Sequence, residues 1–196
     1  MAGATVLKLP MGPMDNNVYV LKSSDGLWAA VIDASDEPDA IVAACQPAHV
    51  LYLLITHGDA DHVGALAQLK RLLPSAKVAI HPADATLLTV PADLELEDGM
   101  RLPLGDTEIA VWHTPGHTAG SVCFFADGIL LSGDTLFPGG PGNTRRPGGD
   151  FAAIIDALSS KLFTLPDSTI VHPGHGDSTS IGKERPDLEQ WRLRGW

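Results

Sequence analysis

The chain has 196 residues, of which 44% are hydrophobic and 19% charged, and its formal net charge is −11. This composition is typical of a globular protein, and the length suits one domain covering residues 1–196. The acidic charge and the lack of any Lys/Arg cluster larger than a pair argue against nucleic acid as a partner. No apolar run approaches the ~20 residues of a membrane span.

The N-terminal residues and the cysteines bear on the compartment. Residues 1–13 show no basic start followed by an apolar core, so no signal peptide is expected. Cys45 and Cys123 lie in apolar contexts, and two cysteines are too few for a disulfide framework. We expect buried, unreactive thiols and a cytoplasmic protein that acts on a small molecule, with no membrane partner.

In the first half of the chain, short apolar runs bounded by turn residues predict β-strands. These strands cover residues 5–9, 17–22, 28–33, 49–55 and 77–80. A helix is expected from Pro38 to about Cys45, because proline is tolerated in a first turn. Apolar residues at helical spacing predict a further helix over 63–73, which Pro74 ends. Residues 81–88 suggest a short helix, and the acidic segment 90–99 suggests a surface loop.

The second half repeats this order. Apolar runs predict strands at residues 101–104, 108–113, 121–126, 129–132 and 169–172. Residues 137–149 are rich in glycine and proline and predict a loop. Asp150 is expected to cap an amphipathic helix, and 187–194 to form a last one. Strands followed by helices, twice over, predict an α/β fold with two sheets face to face and helices on both outer sides.

The segment 56–62 concentrates residues that can hold a metal ion. His57, Asp59, Asp61 and His62 lie within six positions, directly after the apolar run that ends at residue 55. Imidazole nitrogen and carboxylate oxygen are a mixed ligand set that divalent transition metals accept. A solvated polar loop would explain one such residue, but four in this spacing favour a metal site.

Three more residues of this kind stand where predicted strands end. His117, Asp134 and His175 each follow an apolar strand and a tight turn containing glycine or proline. Strand ends that deliver ligands to one edge form a rigid scaffold for a site. We therefore expect these three side chains to complete the metal site begun by residues 57–62.

These motifs resemble those of the metallo-β-lactamase superfamily, and more closely its small glyoxalase II-like hydrolases. The matching segments, in the family's order across residues 5–176, are His57-x-Asp59-x-Asp61-His62, Thr114-Pro-Gly-His117-Thr-x-Gly-Ser121, Gly133-Asp134-Thr-Leu-Phe137 and Pro173-Gly-His175-Gly176. The resemblance implies an αββα four-layer sandwich, which agrees with the predicted order of strands and helices.

The resemblance also implies a centre with two divalent metal ions, zinc in the usual family member. One ion would be held by His57, Asp59 and His117. The other would be held by Asp61, His62 and His175, with Asp134 bridging the two, as the family motif implies. Asp61 and Asp134 would take part in catalysis.

Position 59 departs from the family pattern, which has histidine there. Flavin-linked di-iron members carry a carboxylate at this position, but theirs is glutamate and they have a flavodoxin domain, for which this chain is too short. Two divalent ions bring four positive charges, and the three carboxylate ligands bring three negative charges. The net charge of the site is therefore +1, which a bridging hydroxide cancels. Asp59 therefore predicts a harder, more anionic site that favours iron or manganese. The alternative is that Asp59 does not ligate and that its site is weak or empty.

Other polar and aromatic residues have less specific interpretations. Arg145 and Arg146 lie in the 137–149 loop and resemble basic residues that contact the thiol carrier in glyoxalase II-like enzymes, although a solvated surface pair is equally compatible. His113 and His172 are expected to pack or to support ligands. The expectation for the tryptophans at 191 and 196 is that they cover a core edge.

The resemblance implies a hydrolase that cleaves an acyl bond by attack of a metal-bridging hydroxide. A thioester of a small thiol, as in hydroxyacylglutathione hydrolase, is the preferred substrate, because a thiolate leaving group needs little protonation and no general acid is evident. The alternatives are a non-haem iron oxidoreductase (persulfide dioxygenase or di-iron type), a lactonase or β-lactamase-like hydrolase, and a binding protein with a degenerate site. The sequence does not indicate the oligomeric state.

Overall fold

Two sheets lie face to face in this protein, and helices pack on both outer sides. The structure is a computed structural model that describes residues 3–195. Within that range there are three apolar clusters. One lies between the two sheets, and each sheet has one further cluster between it and the helices on its outer side. The αββα sandwich predicted from the sequence is confirmed.

The first sheet has six strands that neighbour one another in chain order. They are β1 (Thr5–Met11), β2 (Asn16–Lys22), β3 (Trp28–Ile32), β4 (His49–Leu54), β5 (Lys77–Ile80) and β6 (Leu94–Glu95). The first three strands pair antiparallel, and the pairs from β3 to β6 are parallel. Parallel pairing brings the carboxyl ends of β3, β4 and β5 to one edge.

The second sheet also has six strands, and a separate hairpin interrupts its order along the chain. The sheet comprises β7 (Arg101–Leu104), β8 (Thr107–His113), β9 (Val122–Ala126), β10 (Ile129–Gly133), β13 (Ile170–Pro173) and β14 (Thr179–Ser180), and the hairpin comprises β11 (Leu136–Phe137) and β12 (Gly140–Pro141). Strands β10 and β13 are parallel, and the other pairs are antiparallel.

The α-helices are short, and several begin next to polar loops. They are α1 (Pro38–Cys45), α2 (Ala60–Val63), α3 (Leu66–Leu72), α4 (Phe151–Ser160), α5 (Ile181–Glu184) and α6 (Leu188–Arg194). Short 3₁₀ helices cover Pro82–Leu87, Leu162–Thr164 and Arg185–Asp187. As predicted, Asp150 caps α4, and its side chain accepts a hydrogen bond from the Ala153 N–H.

Alternation along the strands separates the apolar clusters. On β2, Val18 and Val20 pack with α1 and α3, whereas Tyr19 and Leu21 pack between the sheets. On β9, Phe124 faces the other sheet and Cys123 packs with the helices on the far side. This period of two buries both faces of each sheet and directs functional side chains to the strand ends.

The helix predicted over 63–73 is shorter in the structure, so that prediction was wrong in its extent: α2 ends at Val63, residues 64–65 form a turn, and α3 covers Leu66–Leu72. The chain bends between α2 and α3, where the Ala65 N–H donates to the Ala34 carbonyl at 2.8 Å. Gly64 makes the bend possible, because a Cβ atom there would lie 2.7 Å from the Ser35 carbonyl oxygen. The tertiary contact with the segment after β3 thus overrides the helical periodicity.

Two predicted loops contain short strands. The acidic segment 90–99 was expected on the surface, but β6 extends the first sheet and Leu96 is buried, with its N–H donating to Ile80 at 2.9 Å. The loop 137–149 includes part of the β11–β12 hairpin. The three strands β6, β11 and β12 have two residues each, too few for a visible alternation pattern.

Other predictions can be compared with the described residues. Cys45 and Cys123 are buried free thiols, as expected, and burial raises the pKa of each to about 11. Trp191 is buried beside Phe163 at the edge of the outer cluster. Trp196 lies outside the described residues. None of the helices in residues 3–195 is long and apolar enough to cross a bilayer.

Candidate metal centre

All seven residues that the sequence marked as possible ligands meet at one edge of the sandwich. His57 and Asp59 follow β4, and Asp61 and His62 lie in α2. The remaining three residues follow β8, β10 and β13 and are His117, Asp134 and His175. The prediction that strand ends bring these side chains together is therefore correct in its geometry.

The first group comprises His57, Asp59 and His117. Asp59 Oδ2 lies 3.2 Å from His117 Nε2 and 3.6 Å from His57 Nε2. One ligand atom from each residue falls within 4.8 Å of the others, so the three could hold a single ion. Both histidines are buried, and Asp59 is partly buried.

The second group comprises Asp61, His62 and His175. His62 Nε2 lies 3.2 Å from His175 Nε2, and His175 Nε2 lies 3.4 Å from Asp61 Oδ2. Asp134 stands between the groups, because its Oδ1 is 3.5 Å from His62 and its Oδ2 is 3.5 Å from His117. This is the position expected of a bridging carboxylate.

Hydrogen bonds on the far sides of the rings orient three of the histidines. His117 Nδ1 donates to the Asn143 carbonyl and His175 Nδ1 to the Met14 carbonyl, both at 2.8 Å. His62 Nδ1 donates to Asp33 Oδ2 at 2.9 Å. A neutral imidazole that donates from Nδ1 carries its lone pair on Nε2, so in the neutral form that binds metals these three rings would present their lone pairs to the cluster.

His57 is oriented through a hydroxyl relay. Thr56 Oγ1 donates to Asp33 Oδ2 at 2.8 Å, which uses its only proton, and it lies 2.9 Å from His57 Nδ1. It must therefore accept the His57 Nδ1–H, and the lone pair of His57 is on Nε2. Asp33 thus supports two of the four imidazoles from behind.

The chemistry of this arrangement fits metal ions. His57 Nε2 and Asp134 Oδ1 are buried without a hydrogen-bond partner, which is costly unless a cation satisfies them. The 3.2–3.6 Å separations match the roughly 3.3 Å edge of a tetrahedron with ~2.0–2.1 Å bonds. Burial lowers the pKa of His62, but Asp33, Asp134 and Asp61 outweigh it and raise that pKa to about 9. The cluster therefore attracts positive charge.

Arg146 adds a positive charge that the charge count from the sequence omitted. Its Nη2 donates to Asp59 Oδ1 at 2.6 Å, and its Nη1 donates to Asp59 Oδ2. Burial raises the pKa of Asp59, but the neighbouring His117, His57 and Arg146 outweigh it and hold that pKa well below its usual range. The guanidinium offsets the extra carboxylate, so charge alone no longer distinguishes this site from one with histidine at 59.

Three supporting residues were missed by the sequence reasoning. Asp33 is buried and holds His62 and Thr56, as described above. Asn16 Nδ2 donates to Asp61 Oδ2 at 2.9 Å. Asp84 accepts from the Gly58 and Gly120 N–H groups, and so ties the loop after β4 to the loop after β8. A polar residue ending an apolar run is a signal that could have identified Asp33.

The histidines expected to play supporting roles lie outside the cluster. His113 stacks on His81 with ring centroids 3.9 Å apart, and its Nε2 donates to the Ala119 carbonyl. His172 lies beside the Tyr19 ring and contacts Ser178 Oγ at 2.8 Å. Neither ring reaches a ligand atom.

Two cavities adjoin the cluster region. One, of about 560 Å³, is lined by Asp59 and Arg146 together with Leu87 and Thr118. The other, of about 520 Å³, is lined by residues 137–145, which include Arg145, and by Arg194 of α6. Both volumes are within the range of small-molecule sites. The two adjacent arginines thus line different cavities.

Comparison with known protein families and solved structures shows which proteins this chain resembles. Residues 11–175 match the family model of the metallo-β-lactamase superfamily. The chain belongs to this superfamily. A metallo-β-lactamase-fold neighbour, the BLEG-1 B3 metallo-β-lactamase, superposes with a TM-score of 0.86 at 30% identity, covering 93% of this chain and 97% of that one. The structure of TTHA1623 in a di-iron-bound form has a TM-score of 0.81 at 35% identity, covering 91% and 96%.

Relatives in sequence include proteins with hydrolase names. The probable metallo-hydrolase YqgX of Bacillus subtilis (strain 168) is 32% identical over 91% of this chain and 93% of its own length. The hydroxyacylglutathione hydrolase of Anaeromyxobacter dehalogenans (strain 2CP-C) is 39% identical over 82% of this chain. That match spans 61% of the relative, so this chain corresponds to part of that enzyme.

Proposed function

We propose that this protein is a metal-dependent hydrolase with a two-metal centre, and that it cleaves the thioester of a small thiol. The first ion would be held by His57, Asp59 and His117. The second would be held by Asp61, His62 and His175, with Asp134 shared. Zinc is the first choice of metal, and iron or manganese are the alternatives because Asp59 supplies oxygen in place of nitrogen.

One observation carries the metal reading. Four imidazole Nε2 atoms and three carboxylates converge, and two of these buried atoms, His57 Nε2 and Asp134 Oδ1, have no hydrogen-bond partner. With a pKa of about 9, His62 in the metal-free protein carries a proton on Nε2 that it can donate to His175 Nε2 at 3.2 Å, and a metal ion would take the place of that proton. A cluster built only for stability would leave fewer buried acceptors facing one another.

The residues have distinct roles in the proposed reaction. When bound, two metal ions in such a centre lower the pKa of a shared water and polarise the substrate carbonyl. Asp134 links the two ligand groups, because its two carboxylate oxygens each lie 3.5 Å from an imidazole, Oδ1 from His62 and Oδ2 from His117. Asp61 accepts a hydrogen bond from the attacking water, and the Asn16 amide keeps its Oδ2 in place. Asp33 keeps His62 in the tautomer that presents Nε2.

The choice of a thioester rests on the leaving group and on one relative. With both ions bound, the seven side chains would be occupied as ligands, so none of them would serve as a general acid for the departing atom. A thiolate leaves without protonation more readily than an alkoxide or an amine. The hydroxyacylglutathione hydrolase of Anaeromyxobacter dehalogenans supports the same class of substrate.

The two cavities suggest where the substrate lies. We place the acyl group in the 560 Å³ cavity, because Asp59 of the cluster lines it. The thiol carrier would then lie toward the 520 Å³ cavity, where Arg145 and Arg194 supply positive charge in an acidic protein. A carrier with a carboxylate, such as a peptide thiol, suits these guanidinium groups.

Two other chemistries have support from solved structures. The di-iron-bound TTHA1623 structure supports iron as an alternative metal, and an iron oxidoreductase acting on persulfide, oxygen or nitric oxide is our second candidate. The 35% identity is an average over the aligned residues and does not identify the residue that corresponds to Asp59. The BLEG-1 structure favours a hydrolase acting on a lactam or lactone ring. Each of these candidates would use the same cluster of side chains in this chain, so an assay must separate them.

A panel assay tests the proposal. Purified protein of measured metal content is mixed with S-acyl derivatives of glutathione and coenzyme A, and free thiol is followed with a chromogenic reagent. Oxygen uptake is recorded in parallel with a persulfide as substrate. We expect thiol release that stops on chelation and returns when zinc or iron is added back.

The control uses His175→Ala, which removes one ligand of the second group. Its thiol release should fall by about 100-fold or more. Oxygen consumption with the persulfide and no thioester turnover would favour the second candidate and contradict our proposal. Thiol release that resists chelation and survives His175→Ala would contradict the metal mechanism itself.

A further inference from the structure

Arg146 reaches into the first ligand group and contacts two of its three members. Nη2 donates to Asp59 Oδ1 and Nη1 to Asp59 Oδ2, so the planar guanidinium engages both carboxylate oxygens. Nη1 also lies 3.0 Å from His117 Nε2. The Arg146 side chain is 31% exposed, and the contact joins two residues that lie 87 positions apart in the sequence.

These contacts use the atoms that a metal ion would need. His117 Nδ1 donates to Asn143, so its Nε2 carries the lone pair, and Nη1–H is a suitable donor to it. One lone pair cannot bind an N–H group and a metal ion at once. Only His57 Nε2 of the first group is left without a partner.

The second group has a different environment. His62 Nε2 and His175 Nε2 face each other at 3.2 Å, and both lie within 3.6 Å of Asp61 Oδ2. The donor to Asp61 Oδ2 is the neutral Asn16 amide. A cation entering this group gains a carboxylate and two imidazoles, and it displaces a proton from between the two rings but no guanidinium.

Charge favours the same order. A fork of two charge-assisted hydrogen bonds to a partly buried carboxylate is a strong contact. A divalent ion in the first group would both displace that fork and repel the guanidinium beside it. A guanidinium keeps its charge across the ordinary pH range, so Arg146 stays a cation throughout.

We propose that Arg146 is an internal competitor for the metal ion of the first ligand group, which is therefore the second ion to bind. In the protein with one ion, the guanidinium holds Asp59 and His117, and the ion occupies the group of Asp61, His62 and His175. The second ion enters only when Arg146 withdraws. This inference rests on the two-metal centre of the proposed function and adds an order of filling and a residue that sets it.

Zinc titration of the metal-free full-length protein tests this order. Binding is followed by calorimetry and by competition with a chromogenic chelator, so no turnover is needed. The wild type should bind two equivalents, the second at least about tenfold more weakly than the first. Arg146→Gln should tighten the second step by about tenfold or more and change the first by less than about threefold.

Two variants separate competition from a general effect of charge. Arg146→Lys keeps the positive charge but lacks the planar fork, so its second step should also tighten. Arg145→Gln removes a neighbouring charge and should leave both steps within about twofold of the wild type. Circular dichroism confirms that each variant is folded.

Three results would overturn the inference. They are an unchanged or weaker second step in Arg146→Gln, equal tightening of both steps, and a lysine variant indistinguishable from the wild type. A protein that binds two ions in this order but releases no thiol contradicts only the proposed substrate. A protein that binds no zinc at all contradicts both proposals.

Discussion

At the scale of single residues, the centre depends on which imidazole nitrogen carries the lone pair. Asp33 controls this for His62 directly and for His57 through Thr56. It is buried and accepts from three groups, the third being the Thr56 N–H at 2.8 Å. A residue that does not itself bind the metal ion can therefore determine how tightly the centre binds it.

The first prediction concerns this carboxylate. Asp33→Asn removes the charge and one acceptor, so His62 is no longer held in the tautomer that presents Nε2. We expect zinc affinity to fall by about 10–100-fold, measured by chelator competition. Asp36→Asn, an exposed neighbour, is the matched control. An Asp33→Asn affinity within twofold of the control would show that Asp33 does not orient the ring.

The second prediction concerns the position that departs from the family motif. Asp59→His replaces an oxygen donor with a nitrogen donor and removes the acceptor of Arg146. The ratio of iron plus manganese to zinc, measured by elemental analysis of protein from a metal-balanced medium, should fall several-fold. If metal identity and stoichiometry both stay the same, Asp59 is not a ligand.

At the scale of elements, buried polar contacts hold the ligand loops together. Asp84, in the 3₁₀ turn after β5, accepts from Gly58 N–H at 3.0 Å, Thr118 Oγ1 at 2.7 Å and Gly120 N–H at 2.8 Å. It thereby fixes the loop carrying His57 relative to the loop carrying His117. The first ligand group depends on this link.

The third prediction follows from that link. Asp84→Ala leaves three buried donors without their acceptor, so the free energy of unfolding should fall by about 3 kcal/mol. Urea denaturation of the metal-free protein measures this loss. Asp156→Ala, on the exposed side of α4, should change it by less than about 0.5 kcal/mol. Equal losses in the two variants would mean that Asp84 holds nothing in place.

The sequence predicted some of these features and not others, for physical reasons. The strands and the meeting of seven polar side chains followed from apolar runs that end in tight turns. The division between α2 and α3 did not, because Gly64 breaks the helix through a contact with Ser35, a tertiary effect. Nor did the pairing of Arg146 with Asp59, since a loop without periodicity gives no indication of its path.

At the scale of the whole molecule, three carboxylates of this acidic chain, Asp59, Asp61 and Asp134, meet at one edge of the sandwich and can hold cations there. The fourth prediction is therefore that metal removal destabilises the fold, because ions that bind only the folded state add to its stability. At a free metal concentration about 1,000-fold above the dissociation constant, the gain is about 4 kcal/mol. Urea denaturation with and without chelator measures it. Chelator already saturated with metal is the control, and identical midpoints would contradict a bound ion.

The central claim is that this edge of the sandwich holds two metal ions. Anomalous diffraction at the zinc absorption edge, from crystals of protein saturated with zinc, tests it most directly. We predict two peaks, one bordered by His57, Asp59 and His117 and one by Asp61, His62 and His175, with Asp134 between them. A single peak at saturation, or no peak among these seven side chains, would contradict the account.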